Sequence, residues 1–477
     1  MYVFTMPADR WDENNPNKTA ILQLIQKHVS GVEQLRKLKR YYEGIHSILD
    51  DGDRDNKLVC NHAKDIADTA TAYFIGEPVS YKSDEDITAL TDELESAETD
   101  ETDGDNGLDL SIYGRAYEYI YTKKDDTILQ TKNLAPESTF MVYDDSIEQN
   151  ELFAVYYYIR KDDTDTSGTQ HYIATVLTRN YKWVYDICEI PSESSLLEGP
   201  EEHFKGEVPV IEYLNNKLAI GDYELQIPLI DAYNALMSDR ITDKEQFIDS
   251  ILVIYGALLS DEEDNSGTGN DEQKEDSSKA AMKRLATRKL LEMPAEGSKA
   301  EYLIRTFDEA GVEILKKAIE QDIHKFSHIP CMSDEHFAGN VSGVAMEFKL
   351  LGMENITKIK TRYYRKGLRK RLRIFCNFLA TSGKGNIDYK TIKAVFTRAM
   401  PKNLLEISQI VSNLWGKVSK KTLISQIPFV TDVDTEIEAV EKEAQEALEH
   451  QKELFGNEPN TPPDEDDPDK EDDVNAE

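Results

Sequence analysis

No run of apolar residues in this sequence is long enough to cross a membrane. The longest, about Ile251 to Leu259, falls well short of the roughly 18–20 residues a spanning helix needs. No membrane partner is therefore expected. Residues 1–30 do not pair a basic segment with an apolar one, as a secretory leader would. Cysteine is scarce: Cys60, Cys188, Cys331 and Cys376 are scattered over 477 residues. That pattern suits free thiols in a reducing compartment, not a disulfide framework. Positive charge is short as well. The chain has 55 Lys and Arg against 91 Asp and Glu, for a net charge of −36. DNA affinity comes largely from counterion release by Lys and Arg, so the whole chain is not expected to bind DNA tightly or by sequence. Adsorption to an anionic membrane surface is disfavoured for the same reason. The expected class is a soluble, acidic protein made inside a cell.

Catalytic signatures are missing too. The chain has no G-x-x-x-x-G-K-[ST] phosphate loop; Gly383-Lys384-Gly385 lacks the upstream glycine and the hydroxyl residue. Gly339-Asn340-Val341-Ser342-Gly343 has the wrong spacing for a nucleophile elbow. Asp51, Asp53 and Asp55 match the first three ligand positions of a calcium loop. Position six is Asn56 and position twelve is His62, however, so a solvated turn is expected. His324, His328, His336 and Cys331 suggest a zinc site only superficially, because the first two histidines close a predicted helix and complement its dipole. No catalytic residue, metal or cofactor is expected, and the chain reads as a non-enzyme.

What the chain does have is unevenly placed charge. Ser83 to Leu110 carries 12 acidic residues and no basic one. Asp261 to Asp276 has a balance of −7, and Asp434 to Glu477 one of −15. These segments hold 34 of the 36 net negative charges, and the rest of the chain is close to neutral. The Pro/Asp/Glu-rich end after Asn457 lacks the apolar surface to offset ordering entropy and reads as a disordered tail.

Apolar periodicity supplies the elements. Ile21, Leu24, Ile25, His28 and Val32 predict a helix from Thr19 to about Tyr42, and another helix runs from Lys57 to about Phe74. Residues 111–215 alternate β-branched and aromatic residues with polar ones and predict an antiparallel block. A long helix is expected from Tyr223 to Tyr255, with Ile230, Tyr233, Met237, Ile241, Ile248 and Leu252 near one face. A second follows from Asp308 to Ile329, with Val312, Leu315, Ile319, Ile323 and Phe326 as its stripe. Between them, Leu290–Met293 and Glu301–Ile304 read as short strands, which makes a two-helix stalk with a small tip. A third long helix is expected from Ser342 to Leu379. Helices at Asn403–Trp415, Lys420–Gln426 and Asp434–Phe455 follow. Asn355 to Asn377 holds nine basic residues and no acidic one. This basic helix either contacts DNA or pairs with an acidic surface of its own chain or of another subunit.

The order of parts resembles that of a tailed-bacteriophage portal protein, the head-to-tail connector, of the type found in siphophages of Gram-positive hosts. Three stretches carry the likeness. The first is Asp55-Asn56-Lys57-Leu58-Val59-Cys60-Asn61, leading to Tyr73-Phe74-Ile75-Gly76-Glu77-Pro78-Val79. The second is Ser342-Gly343-Val344-Ala345, with Lys349 to Met353 and the Arg365 to Arg373 run. The third is Ser419 and Thr422 followed by Ile427 to Asp432.

The resemblance implies an α+β, mainly helical fold assembled as a ring, usually of twelve copies. Residues 1–222 would form a wing containing the β-rich block 111–215. Residues 223–255 and 305–330 would form two stem helices, and 256–304 a small α/β clip with a flexible acidic loop at 261–276. A tunnel loop would occupy 331–341, a long kinked wing helix with a following strand 342–400, a helical crown 401–455, and a disordered acidic tail 456–477.

The implied function is a structural channel for double-stranded DNA packaging and ejection at one capsid vertex. It implies a virion location after assembly in the host cytoplasm. Implied partners are the terminase motor, the major capsid and scaffolding proteins, and a head-completion or adaptor protein. The absent phosphate loop places any ATP-driven motor on another chain. Met332, Ser333, Asp334, Glu335, His336, Phe337, Ala338, Gly339 and Asn340 would line the channel, touching DNA weakly and without sequence preference. Lys316, Lys317 and Lys325 would be isolated phosphate contacts in the stem. Lys283, Arg284, Arg288 and Lys289 would dock terminase or adaptor. Lys358, Arg362, Arg365, Arg369 and Arg373 would form a basic face between subunits. The alternative is an acidic helical scaffold or assembly chaperone without a DNA channel. It would explain the tail but not the β block.

Overall fold

The structure is a computed structural model. It describes residues 3–123, 128–160, 170–248, 251–255, 299–303, 309–332, 343–398, 404–427, 430 and 433–455. These fall into two compact units, Met1–Ala399 and Met400–Glu477. The fold is α+β.

The first unit opens with β1 (Phe4–Thr5) and α1 (Lys18–Tyr42). Asn17 starts α1: its side-chain oxygen accepts from the N–H groups of Thr19 (3.0 Å) and Ala20 (3.3 Å), a cap that contributes about 1 kcal/mol. Ile21, Leu24, Ile25, His28, Val32 and Leu35 recur every three or four residues and are buried, as one helix face requires. Then come α2 (His62–Ile75), β2 (Ser80–Lys82), α3 (Thr88–Ser96) and α4 (Thr99–Tyr113).

Eight strands follow: β3 (Arg115–Thr122), β4 (Leu129–Leu134), β5 (Thr139–Tyr143), β6 (Glu151–Ile159), β7 (His171–Leu177), β8 (Tyr181–Cys188), β9 (Ser195–Glu202) and β10 (Val210–Leu214). They build a six-stranded sheet, β1-β5-β6-β7-β8-β9, and a three-stranded one, β10-β3-β4. β1 runs parallel to β5, and the other neighbours pair antiparallel. Side chains alternate between sheet faces with period two. Phe153, Val155, Ala174, Val176, Trp183 and Tyr185 therefore pack with Ile21 and Ile25 of α1. Met141, Ala154 and Leu177 point the other way and meet Tyr117, Val208 and Val210 between the two sheets.

Five further elements follow in the first unit: α5 (Ile227–Ile248), β11 (Ile251–Tyr255), β12 (Lys299–Leu303), α6 (Glu309–Ser327) and α7 (Gly343–Thr381). β13 (Lys393–Val395) then pairs with β2. The main helical core gathers Phe74, Leu90, Leu94, Leu110, Ile120, Ile211, Tyr213, Tyr364, Leu368, Leu372, Phe375 and Leu379. Each such side chain contributes roughly 1.5–3 kcal/mol by leaving water. The second unit has α8 (Leu404–Leu414), α9 (Lys420–Ile424) and α10 (Val433–Phe455). Ser419 caps α9 by accepting from the Thr422 N–H at 3.3 Å.

Three expectations need correction. The helix predicted over 223–255 ends at Ile248, and Ile251–Tyr255 is a strand paired with Lys299–Leu303. The Ile-Leu-Val-Ile-Tyr run suits a pleated ladder once a partner strand is present, and periodicity does not reveal that partner. Second, Leu315 and Phe326 of the predicted α6 stripe are exposed, while Ile323, His324 and Ser327 are buried. Third, the helix predicted from Lys57 starts only at His62. The acidic stretch 83–110 is mostly covered by α3 and α4, with Asp103 and Glu93 buried.

Asp109 on α4 carries a pH prediction. Burial, reinforced by Asp105, raises its carboxyl to about 7, although Asn133 donates to it at 2.9 Å. A carboxyl raised on folding binds a proton that the unfolded chain releases, so its contribution is largest at low pH and is lost as pH rises through about 7. Asp109→Asn is therefore expected to be more stable than wild type at pH 8 and to lose that advantage near pH 5. Thermal unfolding at the two pH values checks this. Equal shifts at both would refute it.

Candidate functional site

The stretch from Asp55 to Asn61 is a strap along α5. Asn56 Nδ2 donates to Glu245 (2.5 Å), the Leu58 N–H donates to Ser238 Oγ (2.9 Å), and the Cys60 N–H donates to Asn234 Oδ1 (2.8 Å). Asn234 and Ser238 are fully buried, and their polar atoms satisfy backbone groups that would otherwise be costly to bury. Asp51, first of the calcium-like aspartates, accepts from the Asp53 N–H (3.0 Å) and from Arg54 Nε (3.1 Å). Those bonds close the local turn.

α5 packs beside α6. Arg240 donates to Glu313 (2.9 Å) and Glu309 (3.4 Å), and Lys244 lies 3.0 Å from Glu309. Exposed pairs of this kind contribute about 0–1 kcal/mol each. On the inner side, His62 meets Tyr233 and His324 edge-on at 4.7 and 5.7 Å. His324 Nδ1 lies 3.0 Å from the Ile329 carbonyl, so this histidine closes the end of α6. Lys317 and Lys325 are exposed. Lys316 is half-buried, 3.8 Å from Glu313. Ile314, Leu315 and Phe326 stand exposed beside them. Met332 is exposed. The remaining tunnel-loop candidates, Ser333 to Asn340, lie outside the described residues. So do Lys283, Arg284, Arg288, Lys289, the predicted strand Leu290–Met293, the acidic loop 261–276 and the tail after 455.

α7 is 39 residues long, roughly 60 Å at 1.5 Å per residue. The nine cations between Asn355 and Asn377 divide by face. On the inner face, Lys360 donates to Asp222 (2.6 Å) and Ser111 (3.1 Å). Lys370 pairs with Glu151 and donates to the Val210 carbonyl (2.6 Å). Arg373 donates to Glu207 at 2.6 Å. Arg371 is wholly buried: Nε donates to Glu118 Oε1 (2.9 Å), and Nη2 donates to Glu118 Oε2 (2.8 Å) and Asp103 Oδ1 (2.5 Å). Tyr213 donates to Glu118 and Tyr364 to Asp103, both at 2.5 Å. Burial raises the Glu118 carboxyl, and Arg371 opposes that rise.

Sequence reasoning missed this cluster. The signal was the spacing of Lys360, Tyr364, Gly367 and Arg371, which share one face of α7 with Leu368 and Phe375. Only a glycine fits at 367, because a Cβ there would stand 2.4 Å from the Tyr213 ring.

The outer face keeps Lys358, Arg362, Arg365, Lys366 and Arg369 exposed. Lys358 lies 3.6 Å from Glu354, and Arg365 sits over the Phe396 ring at 5.6 Å. Arg362, Lys366 and Arg369 have no acidic partner among the described residues. Phe348, Leu351 and Ile359 continue the same exposed stripe toward the helix start. Arg373, expected on this face, is turned inward to Glu207.

A cleft of about 630 Å³ opens beside the contact between the two sheets, lined by Tyr119, Tyr121, Lys132, Lys182 and Lys205 among others. Lys182 is already paired with Glu201 at 3.2 Å. Burial lowers Lys205 to about 8.

The model of the family described as phage portal protein, SPP1 Gp6-like, matches residues 21–450. A portal protein of Bacillus phage SPP1 is 26% identical over 489 aligned positions, covering 99% of this chain and 92% of the relative. A portal protein of Clostridium phage phiCD119 is 22% identical, covering 87% of this chain and 93% of the relative. Among solved structures, a chain from the neck of a native GTA particle computed with C12 symmetry aligns at 12% identity and a TM-score of 0.41. It covers 77% of this chain and 88% of that chain.

Proposed function

This chain belongs to the phage portal protein family of the SPP1 Gp6-like type, and from that membership we propose that it forms a ring at one capsid vertex. The ring is the channel through which double-stranded DNA is packaged and ejected. It docks the terminase motor during assembly in the host cytoplasm, and the capsid, scaffolding and head-completion or adaptor proteins around it. Residues 1–222 and α7 make the wing, α5 and α6 the stem, 256–304 the clip, 331–341 the tunnel loop and 401–455 the crown. The family is a structural one, and its members are virion components.

The observation that carries this reading is a family match spanning residues 21–450. The surface agrees with it. A single copy leaves Ile314, Leu315, Phe326, Phe348, Leu351 and Ile359 in water, and exposed apolar side chains grouped on two long helices mark an interaction surface. Lys358, Arg362, Arg365 and Arg369 then face an acidic surface of the neighbouring subunit. Lys317 and Lys325 remain as isolated phosphate contacts in a lining that is otherwise acidic or mixed. Such a lining lets DNA slide, because a continuous cationic one would bind phosphates tightly.

Native mass spectrometry of the purified chain tests the ring. Closed cyclic symmetry predicts one dominant large species, and twelve copies of the 54.3 kDa chain would weigh about 650 kDa. Arg362→Glu combined with Arg369→Glu is expected to shift that species toward smaller ones while leaving the fold unchanged by circular dichroism. A chain that stays monomeric under every assembly condition overturns the proposal.

A further inference from the structure

The β7–β8 end of the large sheet holds a donor set that the portal reading does not use. The ladder places His171 directly opposite Cys188, so both side chains lie on the same face of the sheet. The short turn Pro191–Glu193 then brings Glu193 Oε2 to 3.7 Å from Cys188 Sγ. One ligand atom each from His171, Cys188 and Glu193 lies within 4.8 Å of the other two. Around a tetrahedral ion with bonds of 2.0–2.3 Å, ligand atoms stand roughly 3.5 Å apart, so small side-chain adjustments close the set.

Two further contacts point the same way. The Ile190 N–H donates to Cys188 Sγ at 3.4 Å, which fixes the direction of the sulfur beside the turn. His171 Nδ1 lies 2.8 Å from Asp186 Oδ1. That contact leaves Nε2 as the ligand atom and supplies the carboxylate that stands behind a metal-bound imidazole. Asp186 is itself held by Arg160 Nη1 at 3.1 Å.

We propose that His171 Nε2, Cys188 Sγ and a Glu193 carboxylate oxygen bind one zinc-class divalent ion, with water as the fourth ligand. A nitrogen, sulfur and oxygen set suits a borderline-soft ion such as Zn²⁺, whereas Mg²⁺ and Ca²⁺ take oxygen ligands. The ion ties the β7–β8 ladder to the turn that launches β9, an edge strand whose eight residues are all exposed. It is a structural clamp, and no ligand spacing along the chain announces it. The cysteine proton leaves to solvent on binding, so affinity rises with pH.

The test is a Co²⁺ titration of the metal-stripped full-length chain. A near-ultraviolet thiolate-to-cobalt charge-transfer band should grow to one equivalent and vanish when Zn²⁺ displaces the cobalt. The band should persist in a Cys60→Ala, Cys331→Ala, Cys376→Ala triple variant and disappear in Cys188→Ala. Glu193→Ala, on the exposed turn, and Asp186→Asn should each weaken binding about ten- to a hundredfold. The far-ultraviolet spectrum of Glu193→Ala should be unchanged. No band in the folded wild type, a band that survives Cys188→Ala, or an unchanged affinity in Glu193→Ala each overturns the proposal.

Discussion

Replacing Arg371 with methionine is expected to destabilise the first unit by about 3–5 kcal/mol, the usual consequence of removing one partner from a buried ion cluster. The methionine fills much of the space but leaves Asp103 and Glu118, 2% and 0% exposed, without a countercharge. Their hydroxyl donors, Tyr364 and Tyr213 at 2.5 Å, soften the loss without neutralising two carboxylates. The deficit should shrink as pH falls. Burial already raises the Glu118 carboxyl and Arg371 opposes that rise, so in the variant protonation of Glu118 restores stability at low pH and the loss returns as pH rises through its folded value. Urea unfolding between pH 5 and 8 measures both effects. Adding Asp103→Asn and Glu118→Gln to the Arg371→Met variant should recover part of the loss, because the three residues act as one network and their effects do not add. A single-variant loss below about 1 kcal/mol would mean that the carboxylates find other partners, and the cluster would then not be the lock between α4, β3 and α7.

Substituting Gly114 is the second large effect expected. Gly114 ends α4 with φ +76°, and a Cβ there would stand 2.3 Å from the Ala219 carbonyl oxygen. Around it, the Asn215 N–H donates to the Gly114 carbonyl (2.9 Å) and the Asp222 N–H to the Ser111 carbonyl (2.8 Å). These bonds hold the segment leading into α5 against α4. Gly114→Ala should cost about 2–4 kcal/mol, from the left-handed backbone and the overlap together. Gly114→Asn separates the two causes. Asparagine accepts a positive φ more readily than alanine, but its Cβ meets the same carbonyl, so it should rescue little in thermal unfolding. Full recovery by asparagine would show that backbone conformation alone sets the cost.

Much of the architecture is legible along the chain, because its signals are local. The Ile21-Leu24-Ile25-His28 face marks α1, and β-branched alternation from Phe153 to Tyr157 and from Tyr172 to Leu177 marks central strands. The 39 residues of α7 appear as one apolar-basic helix. What fails depends on distant partners. Ile251–Tyr255 continues the helix before it in pattern and becomes a strand only because Lys299–Leu303 lies alongside. Leu315 and Phe326 fit an apolar stripe, but the buried face is rotated from it, where Ser327 sits and His324 meets His62 of α2. Asp103 is one carboxylate among the 12 between Ser83 and Leu110, and nothing local separates it from its solvated neighbours. Its partner Arg371 is 268 residues away.

The net charge of −36, its confinement to three segments, the missing phosphate loop and the long helices were all determined by the sequence alone, since composition and period are properties of the chain. Three ordered stretches were enough to indicate the family that residues 21–450 match. Tertiary structure alone decided how the nine cations between Asn355 and Asn377 are used. Lys360, Lys370, Arg371 and Arg373 are spent on carboxylates of their own chain, whereas Lys358, Arg362, Arg365, Lys366 and Arg369 stay at the surface. Every one of them carries the same charge in the sequence. A buried ion pair exists only where packing sets both the distance and the burial of its two members, and helical rotation against β3, β10 and α4 sets those for α7.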